Sequence, residues 1–271
     1  MGVVAVQHGL PQGRQGVMKF LLEHTLRDYV ALGNDTTRKL LGAETPLVAA
    51  IEEYYRFFQS ELWTADDMKM SPHQAFLSMH SFMTWTAAVR IALSGHAAAT
   101  FPLFRTALEA ACYAYLMKDN DDLEKTWSDR HASAEALKKS RRAFTSAVKE
   151  AAVRIDAGAP SPRYEKWIMD AYDGAIDHGA HPNPKSIYRH INPPKDAGDR
   201  VIVHLTGIYD AEETETLRTL VACLDFGLVI ACVLAHGLKE VPDDLNANLE
   251  RLNQLKEKLS GELLQIPPPE D

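Results

Sequence analysis

Apolar residues recur at three- and four-residue spacing over most of the chain, the repeat of one helix face, while strand-like alternation is rare. From Val17 the pattern sets Phe20, Leu21, His24 and Tyr29 near one face and predicts a helix to Leu32, stopped by Gly33-Asn34. Thr45-Pro46 and Ser71-Pro72 each pair an N-cap hydroxyl with a proline at the first helical position, so each starts a helix. The second carries Phe76, Met79, Met83 and Trp85 on a broad apolar face and ends at Gly95. A helix from His96 to Met117 follows at once, with Pro102 in its early turns. Asn120 caps a short helix. Ser133–Ala157 reads as one long amphipathic helix, with Leu137, Phe144, Val148, Ala151 and Ile155 opposite Lys138, Lys139, Arg142 and Lys149. Pro162–Ile176 and the apolar Ala211–Gly237 give two more. The last helix sets Leu245, Leu249, Leu252, Leu255, Leu259 and Leu263 in one stripe.

About eight helices and little strand signal make an all-α fold, a large bundle cored by the apolar helices near 72–94, 96–117 and 212–237. A loose lead-in is expected over 1–15, a single helical domain over 16–264 and a frayed tail over 265–271. Residues 177–210 read as a long ordered loop, broken by Pro182, Pro184, Pro193, Pro194 and Gly198. Within it "RVIVHLTGIY" alternates enough for one short strand or hairpin arm.

Composition narrows the function. The chain has 271 residues, enough for one large core, and a net charge of −8 that argues against broad, non-specific binding to nucleic acid. Cys112, Cys223 and Cys232 lie in apolar helical patterns without CxxC spacing and read as buried thiols of a reducing cytoplasm. The start shows neither a signal peptide nor a myristoylation pattern. Leu220–Leu238 holds one full charge, Asp225, and its uninterrupted apolar run is short, so a core helix is expected rather than a membrane span. No phosphate loop, GxSxG elbow or Rossmann fingerprint occurs, and no cofactor is expected.

Three constellations remain as candidate chemistry. Arg105 and Glu109 are four apart in "LFRTALEAAC", an apolar stretch, and Asp225 is the lone charge of another. Arg105 is therefore expected to bridge Glu109 and Asp225 inside the bundle, as a guanidinium clamp for an anion or as a structural ion network, the latter preferred. The loop "HGAHPNPKSIYRH" supplies His178, His181 and Arg189. With Asp173 and Asp177 one turn before them, His178 and His181 are weak candidates for a metal site; capping of a helix end is the plainer reading. The scattered His24, His73, His80, His96, His204 and His236 are expected to be hydrogen-bonded core residues rather than acid–base catalysts. "LKKSRRAF" reads as a solvated helix face.

Taken together, "LSGHAAATFPLFRTALEAACYAYL", "HGAHPNPKSI" and "LRTLVACLDFGLVIACVL" resemble a group of uncharacterised bacterial all-helical proteins and, distantly, the HEPN superfamily. That resemblance implies a ribonuclease of a toxin or phage-defence system, working through an Arg-x(4–6)-His pair. Arg90 and His96 fit the spacing, although Ile91 stands where active members carry a polar residue and Gly95 interrupts the helix between them. It also implies that Arg105, Glu109, His178 and His181 gather near one cleft.

The leading expectation is a cytoplasmic, non-membrane protein. Its polar cleft, built by Arg105, Glu109, Asp225 and the 178–190 loop, takes a small anionic ligand or a partner segment. A HEPN-like ribonuclease, a metal-dependent hydrolase and an assembly module that dimerises through its C-terminal leucine helix are the alternatives.

Overall fold

The computed structural model describes residues 2–8, 18–21, 25–63, 70–159, 163–192, 195–196, 200–239, 241–242 and 244–264. Among them run eleven α-helices: α1 Leu26–Gly42, α2 Pro46–Ser60, α3 Pro72–Leu93, α4 Ala97–Met117, α5 Asp121–Ser128, α6 Ala134–Phe144, α7 Ala147–Ala157, α8 Tyr164–Ala175, α9 Pro184–Tyr188, α10 Thr214–Gly237 and α11 Leu245–Leu264. The fold is all-α, as the periodicity predicts.

Helix α10 is the axis of the bundle and packs against α2, α3, α4, α8 and α11. It is long and apolar enough to cross a membrane, but 72% of its apolar window is buried inside the bundle. Buried polar groups tie its neighbours to it. Trp85 of α3 is fully buried and donates its indole N–H to the Cys223 carbonyl at 2.9 Å. Tyr54 of α2 donates to the Leu252 carbonyl of α11 at 2.8 Å, and Gln74 of α3 donates to the Gly237 carbonyl at 2.8 Å. Lys118 reaches the His236 and Leu238 carbonyls at the end of α10, which suits the negative end of the helix dipole. Cys112, Cys223 and Cys232 are buried free thiols, and burial raises the pKa of all three.

Helices α3 and α4 form an antiparallel hairpin through a three-residue turn, in which Gly95 has φ +77°. A Cβ there would stand 2.1 Å from the Tyr209 carbonyl oxygen, so both the dihedral and the close approach require glycine. The Gly95 carbonyl accepts from Tyr209 N at 3.0 Å, which joins the hairpin to the segment entering α10.

Several expectations are corrected. Gly2–His8, expected as a loose lead-in, is strand β1, and Met18–Leu21, expected as the start of a helix, is β2. With β3 Lys195–Asp196 and β4 Arg200–Thr206 they form an antiparallel sheet in the order β2-β1-β4-β3, Val4 facing His204 in the register. The segment around "RVIVHLTGIY" is thus the strand expected of it, but its main partner lies at the other end of the chain. Helix α1 starts only at Leu26, where Thr25 and Asp28 close a reciprocal capping box. It runs through Gly33-Asn34 rather than stopping there, because Gly33 is buried against the His96 ring. His24 lies outside the described residues.

The predicted Ser133–Ala157 helix breaks into α6 and α7 at Thr145-Ser146. On α3 the expected apolar face divides: Trp85 is in the core, whereas Phe76, Met79 and Met83 are 65%, 46% and 63% exposed. Of the α11 leucines, Leu245, Leu252 and Leu259 are buried in the bundle core, and Leu249 and Leu255 pack against it half-buried.

Candidate functional site

The loop after α8 is placed by two small features of α4. Pro102 has no N–H, so the Ala98 carbonyl lacks its usual helical donor. Against that carbonyl packs Gly179, in a π-helical turn over Ile176–Ala180; a Cβ on Gly179 would stand 2.2 Å from the Ala98 oxygen. The turn is followed by α9, whose cap residue Asn183 and Ser186 satisfy each other's backbone N–H groups. Residues 177–190 are therefore ordered, and His178 and His181 leave this turn in different directions.

His181 goes to α4. Arg105 contacts His181 Nε2 at 2.7 Å, Glu109 Oε1 through Nε at 2.9 Å and the Tyr172 hydroxyl at 3.0 Å. The Tyr172 hydroxyl in turn donates to Glu109 Oε1 at 3.0 Å. A guanidinium only donates, so His181 must accept, which requires a neutral imidazole with its proton on Nδ1. Arg105 is thus committed on three sides. It fastens the loop to α4 and α8, and Glu109 balances its charge. The Tyr172 and Tyr113 hydroxyls have raised pKa values, through burial first and then the Glu109 carboxylate.

His178 goes the other way. Its ring lies 5.3 Å from that of Phe101, and its Nδ1 accepts from Arg189 at 2.8 Å. Burial and the adjacent Arg189 hold its pKa below the ordinary histidine value. Arg189 also approaches Glu215 at 3.9 Å.

Asp225 does not join Arg105, which corrects the expected three-residue network. Lys256 of α11, only 9% exposed, approaches Asp225 at 3.2 Å instead. The reason is helix phase. Met169 and Tyr172 on one face of α8 border a cleft with Arg105 and Glu109, whereas Trp167, Ala171 and Gly174 on its opposite face border another with His178, Arg189 and Asp225. The single cleft expected of Arg105, Glu109, Asp225 and the loop is therefore two, divided by α8.

The proposed metal ligands do not converge. Asp177 pairs with Lys185 at 2.5 Å, Asp173 is exposed, and the two histidines face arginines. No cluster of three or more His, Cys, Asp or Glu suited to a metal occurs among the described residues.

The Arg105 cleft measures about 470 Å³ and brings in residues that spacing alone did not single out. Arg130 follows α5, Arg141 sits on α6, and Lys149 lies in the first turn of α7. None of the three has an ion-pair partner among the described residues. The α6–α7 break puts Ser146–Lys149 on the cleft wall, and Ser146 makes no side-chain cap there. Arg141 and Lys149 were legible only as part of a solvated basic face; Tyr172 and Arg130 carried no signal.

Arg90 and His96 both turn to α1. Arg90 donates to Thr37 Oγ1 at 3.0 Å and Asn34 Oδ1 at 3.2 Å. The His96 ring meets Tyr29 edge-on at 5.2 Å, and its Nδ1 contacts Ser94 Oγ at 2.7 Å. Burial, with Arg90 nearby, lowers its pKa. Because Ser94 Oγ already donates to the Ile91 carbonyl at 2.7 Å, His96 Nδ1 must be the donor, which leaves the Nε2 lone pair open.

Comparison with models of protein families, with curated proteins and with solved structures found no match for this chain.

Proposed function

We propose that the protein binds a small anionic ligand in the cleft between α4, α6–α7 and α8, with Arg130, Arg141 and Lys149 as the binding cations. One observation carries this reading: three cations without ionic partners among the described residues border one cleft of about 470 Å³ in a chain whose net charge is −8. Unmatched like charges repel and gain from a shared anion, and guanidinium groups suit the paired oxygens of a phosphate or carboxylate. Arg105 acts here as wall rather than clamp, because Glu109, Tyr172 and His181 engage it. Arg141→Glu with Lys149→Glu tests the reading by calorimetry with inorganic phosphate, pyrophosphate and citrate. Binding of one of these to the native protein, weakened about a hundredfold or more by the double reversal, is expected for paired charge contacts. No binding of any of the three at millimolar concentration overturns it.

A second reading is a ribonuclease built on Arg90 and His96. It is supported by the open Nε2 lone pair of His96, suited to proton abstraction, and by an Arg90 guanidinium whose contacts are neutral oxygens. RNA cleavage that disappears in His96→Ala is the outcome this reading requires. Intact RNA after prolonged incubation with the native protein rejects it.

A further inference from the structure

The cleft on the other face of α8 has a volume of about 400 Å³ and a separate design. Its α10 wall is a single stripe in which Glu215, Arg218, Ala222, Asp225 and Val229 recur at helical spacing. Phe101, Phe226 and Trp167 give it an aromatic middle. The two ends carry opposite charge.

At the end near the start of α10, two guanidiniums share one carboxylate. Glu215 takes Arg218 at 2.8 Å and Arg189 at 3.9 Å, and the other partner of Arg189, His178, is a neutral acceptor. One positive charge is left over, and the N-terminal end of the α10 dipole has the same sign. At the far end the balance reverses. Asp225 is the charge lining that end; its ammonium partner Lys256, at 3.2 Å, is only 9% exposed, lies outside the lining, and is shared at 2.9 Å with Glu257. The Asp225 side chain remains 47% exposed at the cleft and has no partner besides Lys256 among the described residues. On the rim, Asp170 is matched by Lys166 and adds no net charge.

Arg218 and Asp225 are seven residues apart, which sets the two charged ends about 10 Å apart along the helix. A simple anion would meet the excess carboxylate at one end, and a simple amine the excess guanidinium at the other. We propose that this cleft binds a zwitterion with an apolar middle, its ammonium at Asp225 and its carboxylate at Arg189 and Arg218. An extended tripeptide with free termini and an apolar central side chain spans roughly the required 10 Å. A single α-amino acid holds its two charges too close together to reach both ends. The cleft shares no side chain with the anion site proposed above, so the two proposals fail or hold independently.

Calorimetry with Ala-Phe-Ala, its N-acetyl form and its C-terminal amide tests the assignment. The free peptide is expected to bind, and each cap to weaken it about tenfold or more, because each cap leaves one end of the cleft unmatched. Arg218 is 67% exposed, so Arg218→Gln should leave the fold unchanged, a point circular dichroism checks. In that variant the penalty for amidation should shrink while the penalty for acetylation stays. Asp225→Asn should show the converse. Equal binding of the three peptides, an unchanged amidation penalty in Arg218→Gln, or no binding of the free peptide at millimolar concentration overturns the proposal.

Discussion

Replacing Arg105 by leucine removes the guanidinium but keeps an apolar side chain on α4, and so isolates what Arg105 holds together. Three contacts are lost, at 2.7 Å to His181, 2.9 Å to Glu109 and 3.0 Å to Tyr172. A hydrogen bond contributes about 0.5–1.5 kcal/mol net, more where a charge is involved. The Arg105 and Glu109 side chains are 26% and 30% exposed, so water screens and partly replaces these contacts. Leucine also restores some apolar contact. A loss of about 2 kcal/mol follows, equivalent to a Tm lowered by about 3–4 °C for a chain of this size. Urea unfolding followed by far-ultraviolet circular dichroism measures it. The sharper readout is a double-mutant cycle with His181→Ala. If Arg105 fastens the loop through His181, removing both should cost less than the sum of the single losses, by about 0.5–1 kcal/mol. Additive losses, or an Arg105→Leu effect within about 0.5 kcal/mol of zero, would refute the fastening role.

Three further outcomes are expected. Gly179→Ala, which sets a methyl group against the Ala98 carbonyl, should destabilise the protein by about 2 kcal/mol or more and raise amide exchange over 176–190; unchanged exchange there contradicts the packing described. Lys256→Met should destabilise by about 1–3 kcal/mol, because Asp225 then stands without its cation in a mostly apolar setting. Adding Asp225→Asn should recover part of the loss, and chemical denaturation of the single and double variants decides the point. The third concerns pH: burial holds the pKa values of His96, His178 and His190 below the ordinary value of about 6.5. The unfolded chain therefore binds these protons first. Their contribution to stability is complete above about pH 6.5 and is lost as pH falls from there through the folded-state values. Denaturation midpoints should drop on acidification across that window, and less so in His178→Gln; a midpoint that rises as pH falls would contradict the linkage.

The starts at Thr45-Pro46 and Ser71-Pro72, the turn at Gly95, the short helix after Asn120 and the apolar run of α10 were all legible, because each is a local feature. Within the site, the Arg105–Glu109 pair was legible for the same reason, being four residues apart on one helix. The errors have a common origin in distance along the chain. Gly2–His8 looked loose because its longer strand pairing, with Arg200–Thr206, joins segments about two hundred residues apart, and Met18–Leu21 on its other edge reads as helix. Gly33 looked like a stop because the ring of His96 that covers it belongs to another helix. The break at Thr145-Ser146 contains neither proline nor glycine, so nothing local marked it, yet it brings Lys149 to the cleft wall.

The sequence by itself determined an all-α fold, the helix starts that capping chemistry marks, and a short set of charged residues lodged in apolar stretches. Only the tertiary structure decided their partners. It gave Asp225 to Lys256 rather than Arg105, sent His181 to Arg105 and His178 to Arg189, and made two clefts on opposite faces of α8. The reason is physical. Helical periodicity and capping depend on neighbours within about one turn, so the sequence carries them directly. Which helix faces meet depends on packing apolar surface from the whole chain at once, and a small difference in helix phase sends a side chain to one side of α8 or the other.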